Sequence, residues 1–311
     1  LYLITLLMDF YFVELTLIMF KKFLSGVLAA ALLLGGATYA NTTTADAAAK
    51  VPAPKYNFNM DKANKNVVAV ARKGDTTSYT TGNTETGVLP EASQAKKVKL
   101  KYVKGKKGKA LYLDRSSSYG AELKNVKLGT GPWTISFWVK ADNSMSNFMT
   151  IFFTGNKITD PKNTHWVSIT HRTDHDNGGD PYIWSHGITG GKNDEFPWYC
   201  AQDADGNWVE KTAITKGKWV HITLVVDTKD TCEYGEKGAD GYVKGHHGWT
   251  YVNGELYGNG TVANKTMTNS NRFYLGINAW DIPFKGCYDE VKLWNKALTD
   301  KQVAALYKSE K

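Results

Sequence analysis

The feature that most constrains this chain is a long succession of short segments rich in Trp, Tyr, Val, Ile and Thr, separated by turn residues. Segments of this composition are typical of β-strands. The candidate strands cover residues 56–60, 110–114, 133–140, 148–154, 165–171, 181–186, 198–202, 207–211, 219–227, 249–253, 272–277 and 286–294. Their number and spacing predict an all-β chain folded as one large antiparallel β-sandwich.

The connections between these segments differ in character. Asn253-Gly254 stands between two apolar segments and predicts a tight hairpin. The roughly twenty residues between Asp227 and Trp249 are rich in Gly, Lys and His, and they predict a long functional or disordered loop. Residues 73–93 are also expected to form a long loop. Helix signals are almost absent until Thr299, which opens a capping box with Gln302 and predicts a short C-terminal helix through Tyr307.

The N-terminal region predicts export. From Met19 a cationic stretch with Lys21 and Lys22 precedes an apolar run over 23–36, and small residues then permit cleavage after Ala40. This order is typical of a secretory signal peptide. The apolar run is shorter than the about 20 residues that a membrane-spanning helix needs. We therefore expect a secreted, extracellular or envelope location, with no stable membrane insertion after signal cleavage.

These observations divide the chain into four segments. Residues 1–18 are interpreted as a mis-assigned extension upstream of the start at Met19, and 19–40 as the signal peptide. Residues 41–54 are small, polar and interrupted by Pro, which predicts a flexible linker. The sandwich domain is expected to occupy residues 55–308.

The chain has a net charge of +8, and eight of its lysines lie between Lys96 and Lys109, where they alternate with apolar residues. One interpretation is a solvated edge strand that the lysines protect from aggregation. The other is attraction to an anionic glycan or cell-wall polymer, which added salt would weaken. Nucleic acid is not an expected partner for an exported β-sandwich.

Three cysteines, Cys200, Cys232 and Cys287, leave the disulfide question open. An exported protein permits one disulfide, and the third cysteine then stays unpaired. Cys232 could pair with either of the other two.

Several stretches follow one another in the order of a known family. They are Gly108–Asp114, Trp133–Lys140, Lys218–Thr223, Tyr251–Gly254, Phe273–Asn278 and Phe284–Asn295. Through these stretches the chain resembles the laminin-G-like domains of the concanavalin A-like lectin/glucanase superfamily, in their secreted bacterial form. The resemblance implies a jelly-roll sandwich from about Tyr56 to Tyr307. It constrains function less, because this fold hosts lectins, adhesins, accessory modules and enzymes.

The resemblance also implies a structural calcium ion. Members of the family often hold calcium between the first strand and the closing Asp-Glu strand, and the matching positions here are Asp61 and Asp289. The alternative is that Asp289 only satisfies the strand end. Two further acidic clusters, Asp203 with Asp205 and Asp174 with Asp180, are interpreted as turn residues rather than calcium ligands.

No catalytic residues are predicted. Paired carboxylates for glycoside hydrolysis must face one another, and strand alternation is expected to point Asp289 and Glu290 to opposite faces. The histidines lack the spacing of a zinc site, and His221 is interpreted as a packing residue within a strand. We therefore expect a protein that is not an enzyme, although a glycan-cleaving enzyme with an unrecognised site stays as an alternative.

Aromatic residues near the middle and end of the chain predict a sugar-binding site. Flat apolar rings match the C–H face of a pyranose, and polar side chains beside them bind hydroxyl groups. The candidate carbohydrate-binding residues are Trp184, His186, Trp198, Tyr199 and Trp280. The competing interpretation is that a sandwich of this size buries these rings in its core. The expected partner is an extracellular carbohydrate, and a protein adhesion or envelope-structural module is the alternative.

Overall fold

Two antiparallel sheets face each other in the structure, which is a computed structural model. It describes residues 49–71, 78–81, 85–88, 98–114, 119–142, 148–158, 165–175, 178–189, 192–199, 212–234, 237 and 242–311. Within these ranges, the backbone alone is described for 78–81, 85–88, 172–175, 178, 188–189, 192–199, 234 and 243.

Nineteen strands and one helix are present in the described residues. The strands are β1 Tyr56–Phe58, β2 Val67–Ala71, β3 Ser78–Thr81, β4 Glu85–Val88, β5 Lys101–Lys104, β6 Lys109–Leu113, β7 Tyr119–Leu123, β8 Trp133–Ala141, β9 Met149–Gly155, β10 Trp166–His175, β11 Gly178–Thr189, β12 Lys192–Tyr199, β13 Ile214–Thr215, β14 Trp219–Tyr234, β15 Val243–Val252, β16 Glu255–Val262, β17 Arg272–Leu275, β18 Ile282–Pro283 and β19 Gly286–Trp294. The helix is α1, Asp300–Glu310.

The strand order places the last strand near the middle of one sheet. The eight-stranded sheet runs β16-β15-β14-β8-β19-β6-β5, and β1 also pairs with β19. The nine-stranded sheet runs β12-β11-β10-β9-β17-β7-β2, with β13 on β11 and β18 on β9. This arrangement confirms the predicted antiparallel sandwich.

The main core lies between the two sheets. Alternate residues of β8, such as Ile135, Phe137 and Val139, belong to this core, as the two-residue period of a strand requires. Phe137 meets Phe152 of the nine-stranded sheet with ring centroids 6.4 Å apart. Burying each such side chain stabilises the fold by about 1.5–3 kcal/mol relative to exposure.

Helix α1 covers part of the outer face of the eight-stranded sheet. Its capping box forms as predicted, with the Thr299 side chain accepting from the Gln302 N–H. Val303 and Leu306 are buried in a second hydrophobic cluster with Trp294 of β19. The helix extends to Glu310, three residues beyond the predicted end at Tyr307.

Two regions predicted as long loops contain strands instead. The region after Asp227 extends β14 and β15 into a longer hairpin, whose register continues from Thr231↔His246 to Tyr234↔Val243. A register shift between Asp227 and Thr231 absorbs the extra residues, so a Gly- and Lys-rich composition does not prevent pairing. Within residues 73–93, β3 and β4 pair as a short hairpin.

The segment just before the first strand is part of the fold. The indole N–H of Trp294 donates to the Pro52 carbonyl at 2.8 Å, and the Gln302 amide donates to the Lys50 carbonyl at 3.3 Å. Val51 packs against the cluster beneath α1. Residues 50–52, which the composition assigned to a flexible linker, therefore lie against the sandwich.

Helix α1, the one helix of the described residues, is not long and apolar enough to cross a membrane.

Candidate functional site

A group of aromatic rings lies on the outer face of the nine-stranded sheet, away from the main core. Trp166 of β10 is at its centre and is only 4% exposed. Its ring centroid lies 4.8 Å from that of Trp280 and 6.2 Å from that of Trp184. We call the following residues the aromatic cluster: Phe153, Trp166, Tyr182, Trp184, His186 and Trp280.

Strand register brings the cluster together. Trp166 pairs directly with His186, and the neighbouring pair on the same face is Ser168 with Trp184. The alternate residues Val167, Ile169 and Ile183 of the same two strands belong to the main core. Because successive side chains of a strand point to opposite faces, the aromatic residues must all lie on the outer side.

Trp280 is held at the surface by a rigid loop. The side-chain oxygen of Asn278, which is fully buried, accepts the backbone N–H groups of Trp280 at 3.1 Å and Asp281 at 2.6 Å. The ring of Trp280 packs edge-on against Phe153 with centroids 5.8 Å apart. At 38% exposure, Trp280 is the cluster member that presents a large indole surface to solvent.

Polar groups accompany the rings. The Nε1 atom of Trp184 is buried beneath the surface of the cluster and has no hydrogen-bond partner among the described residues. His186 is half-buried and stacks on Trp166 at 5.7 Å with an interplanar angle of 10°. Asp281 accepts a hydrogen bond from the Asn278 amide at 2.6 Å.

Three of the five predicted carbohydrate-binding residues, Trp184, His186 and Trp280, are thus brought together. Trp198 and Tyr199 lie in β12, where the backbone alone is described, and their register partners are Ile183 and Tyr182. The prediction about their side chains falls outside the described residues.

The central residue, Trp166, was not selected from the sequence. It lies in a predicted strand, and pairing that strand with the following one as a hairpin would have placed it opposite His186.

The two predicted calcium ligands contact the same turn, at residues 105–108 between β5 and β6. Asp289 Oδ2 accepts the Lys107 backbone N–H at 3.0 Å, and Asp61 Oδ1 accepts the Lys109 backbone N–H at 3.0 Å. The other oxygen of each carboxylate also accepts a hydrogen bond, from the Glu290 N–H and from the Asn59 amide. Burial raises the pKa of Asp289 to about 6, and the backbone hydrogen bonds oppose that rise.

The two carboxylates are arranged to accept hydrogen bonds from the turn rather than to coordinate calcium. Calcium takes about six to eight oxygen ligands, and no group of three or more His, Cys, Asp or Glu suited to a metal occurs in the described part of the chain. Every carboxylate oxygen of Asp61 and Asp289 already accepts an N–H. The residues as placed do not fit the ion, and calcium binding at Asp61 and Asp289 stays a prediction.

Asp289 and Glu290 do not alternate as expected. Tyr288 and Val291 both belong to the main core, and the register of β19 against β8 shifts between Asp289 and Lys292. Glu290 adopts a positive φ of 48° at this bulge. A bulge inserts an extra residue, so both carboxylates lie on the side away from the core. Both are buried, at 0% and 7% exposure.

A polar network joins α1 to the eight-stranded sheet below it. Its members are Ser136, His221, Thr223, Glu290, Lys292 and Glu310. His221 Nε2 lies 2.8 Å from Ser136 Oγ and 3.4 Å from Glu310 Oε2. Burial raises the pKa of Glu310, but hydrogen bonds from His221 and Lys292 outweigh it and hold the pKa below its ordinary value.

This network has the residue types of a serine hydrolase triad without its geometry. In such a triad the serine and the acid bind opposite nitrogens of the imidazole. Here Ser136 and Glu310 both approach Nε2, and Nδ1 of His221 has no partner among the described residues. The ring is fully buried and packs against Trp138 at 5.2 Å, in agreement with the packing role predicted for His221.

The remaining sequence predictions fall partly outside the described residues. Cys232 and Cys287 are free thiols, so they do not pair with each other, and Cys200 lies outside the description. Asp203 and Asp205 also lie outside it. Asp180 is buried and accepts from the Tyr257 hydroxyl at 2.7 Å and the Ala213 N–H at 3.3 Å, as expected for a structural residue.

Comparison with known families gives one extended match. The profile of the laminin G 3 family, described as the concanavalin A-like lectin/glucanases superfamily, matches residues 115–304, more than half of the chain. No curated protein sequence matches.

The comparison with solved structures gives matches at low identity. Domain 4 of AbnA, a GH43 extracellular arabinanase from Geobacillus stearothermophilus solved in complex with arabinotriose, is 22% identical with a TM-score of 0.52, over 83% of this chain and 100% of that chain. The CBM40 of the Ruminococcus gnavus IT-sialidase, bound to alpha2,3 sialyllactose, is 15% identical with a TM-score of 0.41, over 58% of this chain and 84% of that chain. The botulinum neurotoxin type G receptor binding domain is 13% identical with a TM-score of 0.43, over 78% and 51%.

Proposed function

The chain belongs to the concanavalin A-like lectin/glucanases superfamily, and from this premise we propose that it is a secreted, non-catalytic protein that binds an extracellular carbohydrate. The observation that carries the proposal is the exposed indole of Trp280, which a buried asparagine holds in place above the aromatic cluster. An arabinotriose complex of a similarly folded domain supports carbohydrate as the ligand class.

The cluster supplies the two kinds of contact that sugar binding needs. The Trp280 ring offers a flat apolar surface for the C–H face of a pyranose. The His186 ring and the Asp281 carboxylate supply polar groups for hydroxyls at its border. Because Trp280 packs on Trp166 and Phe153, it pays little conformational entropy when a ligand binds.

A glycan array tests the proposal. We expect the protein to bind one defined class of neutral or weakly charged glycan, and Trp280→Ala to lose about tenfold or more of that affinity. The matched control is Leu256→Ala, because Leu256 is 53% exposed on β16 of the other sheet. A blank array, or equal loss in the control, would overturn the assignment.

The same array separates the calcium prediction from the lectin proposal. If Asp61 and Asp289 hold calcium that the site needs, chelation removes binding. If the two carboxylates serve only the turn, binding survives chelation.

The non-catalytic and secreted parts of the proposal have their own tests. Incubation with the bound glycan should release neither new reducing ends nor unsaturated products. Expression in an export-competent host should yield a chain whose mass corresponds to cleavage after Ala40.

A further inference from the structure

The hairpin formed by β5 and β6 carries a group of lysines at the edge of the eight-stranded sheet. Strand β5 is the terminal strand of that sheet, which confirms the predicted lysine-bearing edge. Four lysines surround the closed end of the hairpin: Lys104, Lys106, Lys107 and Lys109. Lys106 is half-buried and the other three are exposed. We call these four residues the lysine tip.

The lysine tip keeps like charges together. Lys104 and Lys109 are direct partners across the two strands. Like charges in this position destabilise a strand pair. Within the described residues, no carboxylate forms an ion pair with any of the four ammonium groups. Lys101, at the opposite end of β5 from Lys104, does form one, with Asp114 at 3.0 Å.

Two acidic side chains lie beside the tip, but they bind its backbone. Asp289 and Asp61 accept the N–H groups of Lys107 and Lys109, respectively. The turn fits closely against them: a Cβ on Gly105 would lie 2.5 Å from Asp289 Oδ2, and one on Gly108 would lie 1.9 Å from Asp61 Oδ1. The backbone of the tip is therefore fixed while its ammonium groups stay without carboxylate partners.

We propose that the lysine tip binds a linear carboxylated polysaccharide, at a site separate from the aromatic cluster. An extended edge strand with clustered cations is complementary to a polymer that carries carboxylates along its length. The turn is fixed before binding, so contact with the polymer has little backbone ordering cost. The lysine tip is on the eight-stranded sheet and the aromatic cluster is on the nine-stranded sheet, so binding at one does not require the other.

The chemistry of the tip favours a polysaccharide over a nucleic acid. Single-stranded nucleic acids bind through exposed aromatic rings and arginines in addition to charge. The hairpin contains no arginine. The ring of Trp138, whose centroid lies 4.4 Å from the Lys106 ammonium, is only 3% exposed.

Titration calorimetry with oligogalacturonic acid tests this assignment against a neutral maltooligosaccharide of equal length. We expect the protein to bind the acidic oligomer at about 0.01 M salt and to lose it at about 1 M, where the Debye length falls from about 30 to about 3 Å. The neutral oligomer should not compete. No binding at low salt, or stronger binding of inorganic polyphosphate than of the oligogalacturonate, would overturn the proposal.

Matched variants locate the site. Changing the four lysines of the tip to Gln should weaken oligogalacturonate binding about tenfold or more, since each exposed charge contact contributes modestly. The control variant changes Lys216, Lys218, Lys229 and Lys265 to Gln, which lowers the net charge equally, from +8 to +4 (8 − 4). Equal losses in both variants would show that net charge alone acts and would overturn the proposal.

Two more variants keep the test valid if the quadruple Gln variant fails to fold. The pair Lys106→Gln and Lys107→Gln should give part of the loss, and changing all four lysines to Arg should retain binding. Trp280→Ala should leave oligogalacturonate binding unchanged, so failure of this proposal is distinguishable from failure of the sugar site.

Discussion

The two outer faces of the sandwich differ in what covers them. On the eight-stranded sheet, α1 covers a buried network in which Lys292 bonds to both Glu290 and Glu310. On the nine-stranded sheet, aromatic rings occupy the equivalent side, and Trp280 is 38% exposed. A buried charge is tolerated only when it is paired, whereas an exposed indole held in place is useful to a ligand. The contrast fits the proposed function, in which the first face serves stability and the second serves recognition.

The largest effect should come from the covered face. Glu310→Ala removes a carboxylate that accepts from Lys292 and from the Trp138 indole N–H at 3.2 Å. Lys292 then keeps Glu290 as its remaining carboxylate, and the buried Trp138 N–H loses its acceptor, so we expect about 3 kcal/mol less stability in denaturant unfolding. Glu255→Ala, at an exposed position, is the control. If the comparison of faces is right, Glu310→Ala leaves glycan binding intact once the protein is folded.

The covered face should also respond to pH through Asp289. Its pKa is about 6 in the folded protein and about 3.9 when unfolded, so the unfolded state loses its proton first as pH rises. Asp289 therefore lowers stability progressively between about pH 4 and pH 6, by on the order of 2 kcal/mol. We expect the unfolding free energy of the protein to fall over this window relative to that of Asp289→Asn. A difference that stays flat with pH would contradict the burial of this carboxylate.

Two matched indole substitutions compare the faces directly. Trp184→Phe removes an N–H that has no partner among the described residues, so stability should change by less than about 1 kcal/mol. Glycan affinity should fall about three- to tenfold, because the smaller ring leaves a gap beside Trp166, on which Trp280 packs. Trp138→Phe removes a donor that binds Glu310, and it should cost about 1 kcal/mol of stability with no change in glycan affinity. The reverse pattern would break the comparison.

The smallest effect concerns the edge where the covered face ends. Lys104→Glu replaces a like-charge pair with Lys109 by an opposite-charge pair, and thermal unfolding should show a gain of about 0.2–1 kcal/mol. Lys101→Glu should act in the other direction, because it breaks the ion pair with Asp114. If both variants gain stability, the effect comes from lowering the positive charge of this edge and not from the specific pairs.

Local signals explain what could be predicted from the sequence. The capping box at Thr299 and the Asn253-Gly254 turn rest on contacts within a few residues, and both form; Asn253 and Gly254 have φ values of 53° and 82°. The combination of aromatic and polar residues was also sufficient to select Trp184, His186 and Trp280, although not to show that Trp166 lies between them.

The features that were missed depend on distant partners. The bulge at Asp289–Glu290 forms where Asp289 meets the turn at Lys107, 182 residues earlier in the chain. The ion pair of Lys292 with Glu310 requires α1 to fold back onto its sheet. The strand extension after Asp227 depends on pairing between two segments with weak individual strand preference.

The position of β19 has a consequence for how the molecule is made. This last strand lies between β8 on one side and β6 with β1 on the other, near the middle of the eight-stranded sheet. The first and the last segments of the sandwich must meet before that sheet is complete, as in the pairing of Tyr56 with Leu293. Contacts so far apart in sequence slow folding. The sandwich therefore cannot close until the ribosome has released the chain through β19. Until then the eight-stranded sheet stays incomplete and the polypeptide stays unfolded there.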